Sequence, residues 1–264
     1  SPGARASRAA GPRRGDPAVD DDRLLRFGRQ ILLPEIDVAG QERLAAARVA
    51  VVGLGGLGSA AVLYLAAAGV GRLRLCDDDV VEASNLQRQV LHGEDDLGRP
   101  KTASGRDRIR ALDPALELEC VPARVGAGNA AAVVDGADLV VDGTDNVATR
   151  YLLNRACLDA CVPWVSAAAI RFDAQLTLFD PRDAASPCYR CLWPEEGEAA
   201  AACAETGVVA PLVGVVGALQ ALEAVKLLAG CGRSLVGRVL SLDARSLAFD
   251  EFRLARRRGC ADCG

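Results

Sequence analysis

Between Arg48 and Gly58 the chain reads RVAVVGLGGLG: a short, nearly unbroken apolar run closed by glycines at 53, 55, 56 and 58. That pattern predicts a strand buried on both faces that runs into a tight turn. SAAVLYLAAAG follows and predicts a helix stopped at Gly69. GRLRLCDDD then alternates and ends in acid, which predicts a second strand and makes the whole stretch a βαβ unit. Upstream, from Arg23 to Leu44, the pattern suits a helix and connecting turns, with a second helix at GQERLAAA. Downstream, TASGRDRIRALDP predicts a helix, ELECVPARV a strand, ADLVVDGTDN a strand with a polar loop, and VATRYLLNRACLDA a helix. PWVSAAAI and AQLTLFDP read as later strands. Strands alternating with helices predict an α/β fold with a Rossmann-like, doubly wound, largely parallel sheet. The close spacing of the last strands predicts that the sheet becomes mixed. No internal repeat or linker interrupts the pattern, so residues 21–264 read as a single domain, and the Arg-, Ala-, Gly- and Pro-rich residues 1–20 as a disordered tail.

One stretch, GVVAPLVGVVGALQALEAVKLLAG, is long and apolar enough to suggest a membrane span. Gln220, Glu223 and Lys226 recur along it every three residues and put a polar stripe on the helix, with Pro211 near its first turn. A buried amphipathic helix of a soluble, cytoplasmic protein is the expectation. Lysine and arginine number 31 against 35 aspartates and glutamates, a net charge of −4. No basic footprint of a nucleic-acid binder is present.

Gly53, Gly55 and Gly58 fit G-x-G-x-x-G. The first permits the tight turn, the second lets a phosphate approach the backbone, and the third lets the helix pack on the strand. The helix N-terminus then offers free N–H groups to an anion. Asp77 follows about twenty residues on, where a carboxylate accepts hydrogen bonds from ribose hydroxyls. These residues alone indicate an adenine nucleotide. Asn85, Gln87 and Arg88 in SNLQRQ, with Lys101 in GRPK, bear on which one. A triphosphate benefits from Arg and Lys more than a dinucleotide does; solvated surface charges are the alternative. In VVDGTDN, Asp145 stands at a strand's C-terminal end, where it can bind Mg²⁺ alongside phosphate oxygens or cap the next helix as an Asx turn.

Ten cysteines are many for a cytosolic chain. CYRC (Cys188, Cys191) and CADC (Cys260, Cys263) form two C-x-x-C pairs, a strong signal for a closed, structural Zn²⁺ site; redox-active dithiols are the competing reading. Cys76, Cys120, Cys157 and Cys161 lie in apolar elements and are expected in the core, and Cys231 at a helix end. Cys203 sits in a small-residue, glutamate-containing stretch and reads either as a reactive thiol or as an inert loop cysteine. The single histidine, His92, excludes a multi-histidine metal site.

GLGGLG, SNLQRQ, GRPK, TDN, the paired C-x-x-C motifs and GVVAPLVGVVGALQALEAVK, taken in order, resemble the MoeB/ThiF/HesA adenylyltransferase family, bacterial relatives of ubiquitin-activating enzymes. The resemblance runs from about Leu24 to Gly264. It implies ATP-dependent adenylylation of the C-terminal glycine of a ubiquitin-like sulfur carrier, whose Gly-Gly tail meets MgATP at the sheet's C-terminal edge, with release of pyrophosphate. It also implies roles by position: Gly56 in the phosphate loop, Asp77 on the ribose, Asn85, Arg88 and Lys101 on the triphosphate, and Asp145 on Mg²⁺. Arg29 would cross a homodimer interface to the partner's ATP, and Cys188, Cys191, Cys260 and Cys263 would hold zinc. AAIRFDAQLTLFDP and VLHGEDDLG resemble the molybdopterin-synthase branch, CLWPE and TDNVATR the thiamine branch. A cysteine aligned with Cys203 takes part in sulfur transfer in the thiamine branch, but the other branch has one too. No rhodanese domain follows Cys263, so the implied sulfur would come from a separate donor. Gly143 stands where many relatives have cysteine and is expected to be neutral. Two other readings remain: an NAD-dependent oxidoreductase, which leaves Arg88, Lys101 and the cysteine pairs unexplained, and a non-catalytic, zinc-stapled nucleotide sensor.

Overall fold

The fold is taken from a computed structural model, which describes residues 21–194 and 207–264. The tail 1–20 and Cys203 lie outside the described residues. Two helices come first, α1 (Asp21–Ile31) and α2 (Asp37–Ala46), and lead into β1 (Arg48–Val52). Then follow α3 (Gly56–Ala67), β2 (Arg72–Cys76), α4 (Lys101–Leu112), β3 (Glu117–Val121), α5 (Ala130–Val134) and β4 (Leu139–Asp142). The chain continues through α6 (Val147–Ala160), β5 (Trp164–Ile170), β6 (Asp173–Phe179), α7 (Tyr189–Leu192), α8 (Ala210–Ala229), β7 (Arg238–Asp243) and β8 (Ala248–Arg253).

The eight strands form one sheet in the order β3-β2-β1-β4-β5-β6-β7-β8. β3 through β5 are parallel, and from β5 to β8 every pairing is antiparallel. The apolar run of β1 follows from its place: it is central and covered on both sides. Val49 and Val51 point into a core shared with α3 and α8, whereas Ala50 and Val52 point into a second core with α5 and α6. The turn RVLSLD…AFDEFR, which forms the β7–β8 hairpin, was not among the expected strands; β8 is exposed along its whole length, so no buried face marks it in the sequence.

α8 is the expected buried helix, and the structure shows where its polar stripe points. The helix is long and apolar enough to span a membrane by length and composition, yet it packs on α3 and the sheet. Gln220 and Glu223 face the interior: Gln220 Nε2 donates to the Asp142 carbonyl at 2.6 Å, and Glu223 accepts the Leu235 N–H at 3.0 Å and pairs with Lys226. Val215 and Leu222 take the outer side and are about half exposed. Buried hydrogen-bond demand of the sheet and of the segment after α8, rather than solvent, selects the stripe.

Candidate nucleotide site

A cavity of about 660 Å³ opens at the C-terminal ends of β1, β2 and β4. Strand order reverses between β1 and β4, the place where open α/β sheets leave a crevice.

The glycine turn forms one wall. Gly53 has φ +87°, a left-handed conformation that disfavours a side chain, and a Cβ there would stand 2.7 Å from the Gly143 oxygen. A Cβ on Gly58 would overlap the Gly53 carbonyl, and one on Gly56 would press into Val213 of α8 at 2.7 Å. Gly55 alone faces open space, its nearest neighbour being Gln89 Nε2 at 3.8 Å from the Cβ position. α3 starts at Gly56 with no side-chain cap and no acidic residue in its first turn, so its first N–H groups remain available at the rim.

Two side chains pin this turn, Asp77 from the cavity that it lines and His92 from outside the lining. Asp77 Oδ2 accepts the Leu54 N–H at 2.6 Å, and Oδ1 accepts the Asp79 N–H at 2.9 Å. Burial pushes the Asp77 carboxyl up, against the pull of these two N–H groups and Lys101. His92 bridges Ser104 Oγ at 2.8 Å through Nδ1 and the Leu54 carbonyl at 3.2 Å through Nε2. A carbonyl can only accept, so the proton sits on Nε2 and the Ser104 hydroxyl donates to Nδ1. Burial lowers the His92 pKa and keeps the ring neutral. The histidine therefore acts on the phosphate-type loop, a role its sequence position did not disclose.

The cations are placed unequally. Lys101 is only 4% exposed, lines the cavity and reaches Asp79 Oδ2 at 2.8 Å. Arg88 also lines the cavity; its Nη1 donates to the Ser84 carbonyl at 3.1 Å, and it has no carboxylate partner among the described residues. Asn85 does not line the cavity. Its Oδ1 accepts the Glu82 N–H at 3.2 Å, closing the short turn Ala83–Asn85 that carries Gln87, Arg88 and Gln89 to the wall. Arg29 is exposed on α1 and is likewise absent from the lining.

The third wall is the loop after β4. Asp142 is fully buried. Its Oδ1 accepts from the Thr144 N–H at 2.9 Å and the Thr144 hydroxyl at 2.6 Å; Oδ2 accepts from Arg150 Nε at 3.0 Å. Arg150 also donates to the carbonyls of Thr144 (2.6 Å) and Ala167 (3.1 Å). Burial opposes the guanidinium charge, and Asp142 and Tyr189 more than offset it, so its pKa is raised. This clamp holds Asp145 out at the cavity edge, exposed and with no hydrogen-bond or ion-pair partner among the described residues. Asn146 Oδ1 caps α6 by accepting the Thr149 N–H at 2.9 Å, so the capping role belongs to Asn146 and leaves Asp145 free. Gly143 is not neutral in this backbone: a Cβ there would come within 2.5 Å of the Gly53 oxygen.

Away from the cavity, the sulfurs of Cys188, Cys191, Cys260 and Cys263 all lie within 4.8 Å of one another. Three of the separations are 3.9 Å (188–191), 3.7 Å (188–260) and 3.5 Å (191–263). A regular tetrahedron with metal–sulfur bonds of about 2.3 Å has sulfur–sulfur edges of about 3.8 Å, so the donor set fits a tetrahedral metal. The Arg257 N–H donates to Cys191 Sγ at 3.3 Å. Cys76 and Cys157 are buried as expected, and burial pushes the Cys76 thiol up to about 12. Cys120 is half-buried, and Cys231 is half-buried just after α8. Cys161 corrects the core expectation: it is exposed, at φ +54° in the left-handed cap that ends α6, and the turn itself carries it out of the core.

Sequence reasoning missed Arg150 and Gln89, and it named Gln220 only as part of a stripe. A signal existed for the first, since Asp142 is the only charge in the apolar strand β4 and calls for a buried partner.

A ThiF family model matches residues 27–262. The chain is 49% identical to the molybdopterin-synthase adenylyltransferase of Escherichia coli over 246 residues, covering 93% of this chain and 98% of that protein. It is 43% identical to the sulfur carrier protein ThiS adenylyltransferase of the same organism, covering 93% and 97%. The crystal structure of E. coli MccB with ATP shares the fold at a TM-score of 0.77 and 24% identity, over 86% of this chain and 69% of that one.

Proposed function

The chain belongs to the ThiF family, and from that premise we propose that it is an adenylyltransferase that activates the C-terminal glycine of a ubiquitin-like sulfur carrier. The favoured carrier is the molybdopterin-synthase small subunit, which puts the enzyme in molybdenum cofactor biosynthesis in the cytoplasm. The support is the 49% identity over nearly the full length of both chains, against 43% for the sulfur carrier protein ThiS adenylyltransferase. The observation that carries the chemistry is the cavity's inventory: an open glycine turn and, among the described residues, an arginine without a carboxylate partner and a carboxylate without any partner on one rim.

The carrier carboxylate attacks the α-phosphorus of ATP. A carboxylate–phosphorus bond forms, the bond to the bridging oxygen breaks in line with it, and pyrophosphate leaves. The nucleophile is already ionised, so no proton moves and no general base is needed. Two anions must meet, and Arg88 and Lys101 offset their charge. The glycine turn and the N-terminus of α3 hold the phosphates for in-line attack, while Asp77 faces the ribose. Asp145 would hold Mg²⁺, which when bound neutralises phosphate charge. Cys188, Cys191, Cys260 and Cys263 would hold a structural Zn²⁺ that ties the C-terminus to the segment before α7; metal analysis of reduced protein tests this, with one zinc per chain expected. Arg29, exposed on α1 and outside its own cavity, suits a homodimer in which it reaches the partner's ATP. Residues 21–264 act as one unit.

ATP–pyrophosphate exchange with the two carriers in parallel tests the reading. Exchange is expected with the molybdopterin-synthase subunit. Exchange with the thiamine carrier alone moves the enzyme to that pathway. Exchange with neither, together with pyridine-nucleotide binding, would overturn the reaction in favour of an oxidoreductase.

A further inference from the structure

Asn154 is fully buried on α6, and its side-chain hydrogen bonds go to the four-cysteine cluster, one to each half. Its Oδ1 accepts at 2.9 Å the N–H of Tyr189, which stands between Cys188 and Cys191. Its Nδ2 donates at 2.8 Å to Oδ2 of Asp262, which stands between Cys260 and Cys263. Cys188 and Cys260 are 72 residues apart in the chain. An amide, with one acceptor end and one donor end, can hold both halves at once. Both partners are in place only while the cluster is closed, and opening it strands a buried amide.

Arg150 stands one turn earlier on the same face of α6. It holds Asp142 at 3.0 Å and the Thr144 carbonyl at 2.6 Å, and with them the loop that carries Asp145 to the cavity edge. Tyr189 joins the two turns. Its ring packs edge-on against Tyr151 of α6, with centroids 5.2 Å apart, and its hydroxyl hydrogen-bonds the Arg150 guanidinium. One helix, with buried polar contacts at successive turns, thus connects the four sulfurs to one wall of the nucleotide cavity. Asp77 follows β2, on the far side of β1, and takes no part in this connection.

We propose that Asn154 is a positioning residue that couples the four-cysteine cluster to the nucleotide site, so that a metal held by the sulfurs and MgATP held in the cavity each bind more tightly when the other is present. The inference rests on the ATP and zinc readings of the two sites. With the cluster closed, α6 and the Asp145 loop are already ordered when MgATP arrives; with it open, MgATP must order them, and its affinity falls by that cost. The factor is the same in both directions.

The test measures zinc retention against a chelator, and the affinities for MgATP and adenosine by calorimetry, in the full chain: wild type, Asn154→Asp, and Asn154→Asp combined with Asp262→Asn. Asn154→Asp sets a carboxylate against Asp262. It is expected to lower zinc retention and to weaken MgATP about 5-fold or more, the lower end for coupled sites, with adenosine unchanged. The combined variant exchanges amide and carboxylate, and so keeps one donor and one acceptor between the positions and a carboxylate beside Arg190, which pairs with Asp262. It is expected to recover both zinc and MgATP. Wild type is also measured before and after zinc removal, with the same selective loss of MgATP affinity expected. A merely structural asparagine would lower the unfolding temperature and leave the MgATP affinity of the folded chain unchanged; that result overturns the proposal, as does recovery of zinc without MgATP, or an unchanged MgATP affinity after zinc removal. A wild-type chain that holds zinc but binds no ATP overturns the nucleotide reading, and one that binds ATP but holds no zinc overturns the zinc reading, each taking this inference with it.

Discussion

The turn from β1 into α3 and the turn from β4 into α6 leave neighbouring strands at the same sheet edge, but one is built from backbone and the other from side chains. The first has glycines at 53, 55, 56 and 58 and no side-chain cap. The second has Asn146 as a cap and the Asp142–Arg150 ion pair beneath it. In the first, no side chain caps the helix N–H groups; in the second, Asn146 takes the Thr149 N–H, and what is offered outward is the Asp145 carboxylate. The two turns touch through glycines, Gly53 against Gly143. The uncapped start of α3 and the exposed Asp145 carboxylate therefore line the same cavity.

The largest test of this contrast strikes the side-chain turn. Arg150→Met strands the fully buried Asp142 carboxylate and should cost about 3–5 kcal/mol of stability, read from urea unfolding. A loss under about 1 kcal/mol would show that the clamp is not holding the loop. Asp145→Ala should do the reverse. Its unfolding temperature should match wild type, while adenylylation falls by about a hundredfold or more, on the order of 3 kcal/mol at the transition state. Near-normal turnover would remove Asp145 from the chemistry.

The backbone turn is sharpened by a pair of alanines. Gly58→Ala must part the turn from α3 and should cost about 1–3 kcal/mol. Gly55→Ala meets no backbone, so stability should stay within about 0.5 kcal/mol while ATP binding weakens. Equal destabilisation by both would erase the distinction drawn between the two glycines. Asn146→Ala, which removes the cap of α6, should cost about 1 kcal/mol with nucleotide affinity retained.

The smallest effect is pH-dependent. Burial lowers the His92 pKa below 6.5, so the unfolded chain binds the proton first. This contribution is complete above pH 6.5 and is lost as pH falls toward the lowered folded value. The wild-type stability curve should therefore decline faster than that of His92→Gln over this interval, and parallel curves would show that the ring is not a neutral pin of Leu54.

The glycine spacing, the strand–helix alternation and the paired cysteines were legible because each is a local pattern with one physical meaning. α6 could be read from its first residue to its last, as its cap and its apolar period agree. Elsewhere a pattern had two meanings. Gln220 and Glu223 read as a polar stripe on a buried helix, and only the structure supplies their partners, the Asp142 carbonyl and the Leu235 N–H. The β7–β8 hairpin was silent because β8 has no buried face to impose alternation. The resemblance implied a triphosphate contact for Asn85, and only the structure shows that its side chain closes the turn carrying Gln87, Arg88 and Gln89.

The sequence by itself determined the parallel α/β core, the open glycine turn and the four-sulfur donor set, since these depend on backbone freedom, burial and ligand type within short stretches. The tertiary structure alone decided what fills the space between them. It joined Asp142 to Arg150, set His92 behind Leu54, pressed Gly53 on Gly143 and left the amide of Gln89 facing Gly55 without a partner. Those choices are made by groups distant in sequence competing for a limited number of buried hydrogen bonds, and no local pattern records the outcome of that competition.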